Sequence, residues 1–136
     1  MGSAIGGCQC GALRYRIRAD PLAVTACHCS DCQTQSGSAF SMSMVVGEND
    51  FKWTAGTPRI YHTNADSGAT KECLFCAECG VRILNRLGSM PGTLNVKPGT
   101  LDDTSGVAPT LHVWLVNKQP WLVIPEGTRS FDRNPD

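Results

Sequence analysis

An all-β, single-domain fold is what this sequence predicts. Nowhere do apolar residues recur at helical spacing for three turns, and short segments of alternating polar and apolar residues follow one another closely. Turn-forming residues are abundant, with 14 glycines and 8 prolines among 136 residues. A chain of this length buries about two thirds of its unfolded surface, so it can support a core of its own.

The elements can be read in order. Between Gly11 and Arg18, Leu13, Tyr15 and Ile17 alternate with Arg14, Arg16 and Arg18, which predicts a half-buried strand ended by Asp20-Pro21. Its arginine face is either solvated or free to meet carboxylates, for which the planar guanidinium is suited. Ser30 followed by Gln33 has the form of a capping box, and Gly37 falls where a helix of one to two turns would stop. The amino end of that helix would favour thiolate over thiol at Cys29 and Cys32.

Alternation resumes with Phe40, Met42, Met44 and Val46 against Ser41, Ser43 and Val45, then with Phe51 and Trp53 before a turn over 55–58. The aromatic and methionine stripe reads as core, with one edge able to wall a pocket. Arg59 to His62 continues the strand habit, and 64–68 is a polar loop. Arg82 to Leu84 and Thr93 to Val96 read as strands separated by a loop over 88–92. Leu111 to Val116 reads as a last strand between two turns.

Twelve basic and twelve acidic residues leave no net charge, which removes the electrostatic footprint of a nucleic-acid or anionic-membrane binder and favours a small, local ligand. The first seven residues have neither a basic flank nor an apolar run, Gly6 does not suit a myristoylation pattern, and no segment is long and apolar enough to span a bilayer. A cytosolic protein is expected, and in a reducing compartment eight thiols do not form a disulfide framework.

Those eight cysteines fall into three tight clusters: Cys8 and Cys10; Cys27, Cys29 and Cys32; and Cys73, Cys76 and Cys79. Clustering of this kind is a metal-ligand pattern. Residues i and i+2 of a strand share a face, so Cys8 and Cys10 can turn to one ion. Cys76-Ala77-Glu78-Cys79-Gly80 has the form of a zinc knuckle and supplies two further ligands, completing a closed, structural site. Cys27, Cys29 and Cys32 remain as a three-sulfur set with a fourth position for water or a substrate sulfur. Three thiolates leave zinc a weak Lewis acid toward water and suit it to a soft ligand such as a thiol. Cys73 complicates this count, since it can displace a knuckle cysteine or close the second site. His28, between two ligands, should face away from them. His112 is either a satisfied core histidine or a proton donor in the pocket.

Six ordered motifs carry a resemblance: Gly7-Cys8-Gln9-Cys10-Gly11; Cys27-His28-Cys29-Ser30-Asp31-Cys32 with Gly37-Ser38-Ala39-Phe40; Phe75-Cys76-Ala77-Glu78-Cys79-Gly80; Pro98-Gly99-Thr100-Leu101-Asp102-Asp103; Pro109 with His112-Val113-Trp114; and Pro120-Trp121. Together they resemble the glutathione-dependent formaldehyde-activating enzymes, also called the centromere-protein-V-like family. The resemblance implies a β-tent domain over 7–131, between an N-terminal tail 1–6 and a polar tail 132–136. It implies a structural zinc on Cys8, Cys10, Cys76 and Cys79 and a second, catalytic zinc on Cys27, Cys29 and Cys32. It also implies carbon-sulfur lyase chemistry that joins glutathione and formaldehyde into S-hydroxymethylglutathione, with a small-molecule thiol and aldehyde as partners. Cys73 departs from the family pattern. A non-catalytic zinc module that binds a macromolecule, and an enzyme acting on another electrophile such as an imine, are the alternatives.

Overall fold

The computed structural model describes residues 3–65 and 68–135. Asp66 and Ser67 of the expected polar loop, and Met1, Gly2 and Asp136 of the expected tails, lie outside the described residues. Eleven strands and one α-helix are found among the described residues, so the all-β class holds.

The alternation in 11–18 builds the smaller of two sheets. β1 (Ala4–Gly7), β2 (Arg14–Ile17) and β5 (Phe51–Ala55) pair antiparallel in the order β1-β2-β5. Leu13, Tyr15 and Ile17 are buried as their spacing requires. Tyr15 stacks on Phe51 with ring centroids 5.0 Å apart, and its hydroxyl shares a 2.7 Å hydrogen bond with Thr100 Oγ1. Burial pushes the Tyr15 phenol up to about 12. The arginine face is exposed except at Arg14, whose guanidinium meets both carboxylate oxygens of Asp102. That pair closes β2 against the chain that follows the bridge between Gly6 and Leu101.

The larger sheet contains β3 (Ala23–Cys27), β4 (Ser41–Gly47), β6 (Arg59–Asn64), β7 (Thr70–Phe75), β8 (Arg82–Leu87), β9 (Thr93–Val96), β10 (Leu111–Val113) and β11 (Arg129–Ser130). Their order is β11-β10-β3-β4-β9-β8-β7-β6, antiparallel except where β10 pairs with β3 and β11. Residues directly opposite in a ladder project to one face. Leu74, Leu84, Val96 and Met44 form one such row, and they pack with Leu13, Tyr15 and Ile17 into the core. Cys73, Asn85, Asn95 and Val45 form the row beside it on the other face. On that same face Thr25 lies opposite Ser43, and Cys27 opposite Ser41. The sheet therefore has an apolar face toward the core and a polar, sulfur-bearing face away from it.

α1 (Ser30–Ser36) follows the cysteine run and ends at Gly37 in the left-handed conformation, as expected. Its cap differs: Cys29, not Ser30, is the N-cap, and its sulfur accepts the Cys32 amide at 3.3 Å. Gln33 therefore does not close a capping box.

The expected strand over 111–116 stops at Val113. Trp114 takes a left-handed backbone (φ 61°), a conformation that costs roughly 1–3 kcal/mol for such a residue. Its amide donates to the Arg133 carbonyl at 3.2 Å and its indole to Asn134 Oδ1 at 2.9 Å. Contacts with the last residues override the strand habit.

Candidate metal centres

Two local devices hold the first cluster. Cys8 begins the loop after β1, and its sulfur accepts the Leu13 amide at 3.2 Å. The turn after β7 carries Cys76, whose sulfur accepts the amides of Glu78 at 3.4 Å and Cys79 at 3.5 Å. Gly80 closes that turn at φ 82°, a backbone that favours glycine. The four sulfurs of Cys8, Cys10, Cys76 and Cys79 come within 4.8 Å of one another. Cys8 to Cys10 and Cys10 to Cys76 are each 3.7 Å. A tetrahedron with 2.3 Å metal-sulfur bonds has edges of about 3.8 Å, so this set fits a four-coordinate ion. Cys8 and Cys76 are buried.

Cys27, Cys29 and Cys32 form the second cluster, again with sulfurs within 4.8 Å of one another. Cys27 ends β3, Cys29 caps α1 and Cys32 lies in its first turn. All three are partly exposed. Hydrogen bonds from Cys27 and Cys32 hold the Cys29 thiol far below its usual range, and the same bonds push Cys27 and Cys32 up. Among the described residues no fourth Cys, His, Asp or Glu joins the set. Cys73 belongs to neither group: it is buried on β7, opposite Tyr61 and Asn85.

His28 faces away from the sulfurs, as its position between two ligands requires. It is fully buried, and its Nε2 shares a 3.0 Å hydrogen bond with His112 Nδ1. His112 lies on β10 opposite Ala26, one residue out of step with Cys27, and so projects from the sheet on the face opposite that sulfur. Burial lowers both imidazoles below their ordinary range, and His28 is lowered further by His112 and Lys118. The outer nitrogens, His28 Nδ1 and His112 Nε2, are buried without a partner among the described residues.

Several polar residues around the triplet take parts that no local sequence signal gives. Gln33 donates to the carbonyls of His28 at 2.8 Å and Asn117 at 3.0 Å and accepts from Gln119 at 2.8 Å, tying α1 to the segment after β10. Lys97, just after β9, donates to Ser41 Oγ at 2.8 Å and Ser43 Oγ at 3.1 Å. Burial pushes the lysine down to about 8, against the pull of the Cys32 and Cys27 thiols. A cavity of about 730 Å³ opens here, walled by Phe40 and Met42 at the edge of the expected aromatic and methionine stripe.

A β-sheet domain with one four-sulfur and one three-sulfur group, both able to hold metal ions, is the class that fold and sites define. The sequence profile of the "Glutathione-dependent formaldehyde-activating enzyme" family matches residues 3–117, and the chain belongs to that family. A curated protein of Talaromyces marneffei is 30% identical over 80 residues, 59% of this chain and 42% of its own. One from Penicillium rubens is 32% identical over 91 residues, 63% of this chain and 47% of its own. Both bear the name "Putative glutathione-dependent formaldehyde-activating enzyme", and the chain matches less than half the length of each. A crystal structure of a Rhodobacter sphaeroides protein shares the fold, with a TM-score of 0.59 at 22% identity over 77% of this chain and 91% of that one. No helix among the described residues is long and apolar enough to cross a membrane.

Proposed function

We propose that this protein is a cytoplasmic carbon-sulfur lyase that joins and splits a glutathione-like thiol and a formaldehyde-like aldehyde through a hemithioacetal. On this reading Cys8, Cys10, Cys76 and Cys79 hold a structural zinc, and Cys27, Cys29 and Cys32 hold a second, catalytic one. The observation that carries it is the contrast between the two groups: four sulfurs, two of them buried, against three partly exposed sulfurs with no fourth protein ligand among the described residues.

Cys27, Cys29 and Cys32 would hold the ion, which would favour the thiolate form of a soft ligand such as a thiol. The chain's own residues do the rest. β3, the Cys29 cap and α1 fix the three sulfurs in one small volume, and Gln33 anchors the helix that carries Cys32. The cavity beside Ser41 leaves room for both reactants, so positioning contributes to the rate. In the forward direction the substrate sulfur forms a bond to the carbonyl carbon, the carbon-oxygen π pair moves to oxygen, and the proton shed by the thiol returns there. In reverse, that proton leaves the hydroxyl and the carbon-sulfur bond breaks.

His112, a candidate proton donor by sequence, is bonded to His28 on the side away from the Cys27 sulfur. We assign it a positioning part: it fixes His28, and with it the backbone between Cys27 and Cys29.

Metal analysis and turnover test the proposal together. The wild-type protein should bind about two zinc ions per chain and exchange glutathione and formaldehyde with their adduct, followed by NMR. Cys29→Ser should lose about one zinc and all turnover while keeping the fold. Turnover retained by that variant would refute the assignment.

A further inference from the structure

We propose that the cavity beside the cysteine triplet is a carboxylate subsite, in which Lys97 and Arg82 hold an anionic end of the thiol presented to Cys27, Cys29 and Cys32. The presentation of a thiol rests on the function proposed above. The subsite itself rests on the charges of the cavity wall.

Lys97 and Arg82 both line this cavity, and among the described residues its lining contains no aspartate or glutamate. Three other cations of the fold are paired with carboxylates: Lys71 lies 3.1 Å from Asp31, Arg86 reaches Glu48 and Glu72, and Arg14 meets Asp102. Lys97 and Arg82 are not. Among the described residues, the hydrogen-bond acceptors of Lys97 are the neutral hydroxyls of Ser41 and Ser43, and that of Arg82 is the neutral amide of Asn85, at 3.1 Å. An ammonium has three donors and a guanidinium five, so both retain hydrogens for a ligand. Two cations turned to one cavity with no protein anion between them form a site for an external one.

The cavity also lies where a substrate of the triplet would extend. Ser41 is opposite Cys27 in the β3–β4 ladder, and Gln35 and Ser36 of α1 line the cavity. A thiol seated at the sulfurs with its carboxylate against Lys97 and Arg82 would occupy this space. A thiol without a carboxylate would leave the two cations unmatched, so the subsite selects for acidic thiols.

S-Methylglutathione separates the two parts of the idea, because its sulfur has no proton to lose while its carboxylates are intact. Calorimetric titration of the zinc-loaded protein should show binding of S-methylglutathione, weakened about tenfold or more in its dimethyl ester. Lys97→Met and Arg82→Met should each weaken the acid by about tenfold and leave the ester unchanged, and added salt should weaken the acid alone. The subsite is overturned if acid and ester bind the wild-type protein alike, if S-methylglutathione does not bind, or if folded Lys97→Met and Arg82→Met retain wild-type affinity. The acid-ester comparison needs no variant, so misfolding of either substitution leaves the decision intact. Carboxylate-dependent binding without any glutathione-formaldehyde turnover sinks the proposed function and spares the subsite. Turnover with carboxylate-indifferent binding does the reverse.

Discussion

Cys10 Sγ stands 3.7 Å from Cys76 Sγ, although 66 residues separate the two in the chain. The contact joins the loop between β1 and β2 to the turn between β7 and β8, and so links the small sheet to the large one. A metal held there is a cross-link between layers.

Removing it should therefore loosen the whole domain. Cys76→Ser deletes a buried sulfur that also accepts two backbone amides, whereas Cys10→Ser deletes an exposed one. Both should lose about one zinc, and Cys76→Ser should cost more stability, about 3 kcal/mol or more in denaturant unfolding. Equal unfolding midpoints for Cys76→Ser and wild type would remove the structural role.

Gln33→Ala should act on the triplet alone. The side chain makes three hydrogen bonds, one to the His28 carbonyl and two that tie α1 to the segment after β10, and each contributes about 1 kcal/mol. Its loss should let a competing chelator strip the triplet zinc at lower concentration, while the four-sulfur site keeps its affinity. Zinc release followed with a metallochromic dye reads the two sites separately.

Lys97 makes stability depend on pH in a defined direction. Its folded value, about 8, lies below its ordinary 10.5, so between those values the unfolded chain binds the extra proton. Burying the charge costs stability below pH 8, and that cost is relieved as pH rises toward 10.5. The stability difference between wild type and Lys97→Met should accordingly move in favour of wild type across this window, by up to about 3 kcal/mol. A difference independent of pH from 7 to 10, measured by urea unfolding, would contradict the lysine's burial.

Gly6→Ala tests the packing under the small sheet. A methyl group there would meet the Thr100 carbonyl oxygen at 2.4 Å and the Tyr15 hydroxyl at 2.6 Å, and neither can withdraw, because one is backbone and the other belongs to a fully buried ring. Overpacking of this kind costs about 1–3 kcal/mol. Thermal unfolding should show the loss, and an unchanged midpoint would mean the two layers are less tightly apposed than described.

Local spacing by itself determined the sulfur triplet, the two cysteine pairs that meet in the four-sulfur group, and much of the core. Cys8 and Cys10, the Cys76–Cys79 turn, and the inward Leu13, Tyr15 and Ile17 each need only a few consecutive residues to set their direction, because a strand alternates and a tight turn converges. The tertiary structure decided what depends on which strand lies beside which. Cys73, three residues from a metal-site cysteine, is carried off to the row of Tyr61 and Asn85. Gln33 leaves its expected cap for the Asn117 carbonyl brought in from β10's side, and Trp114 leaves its strand for the residues after β11. Lys97 meets Ser41 and Ser43 only because β9 pairs with β4. Such register is set by the global burial of one sheet face, which no short window of sequence contains.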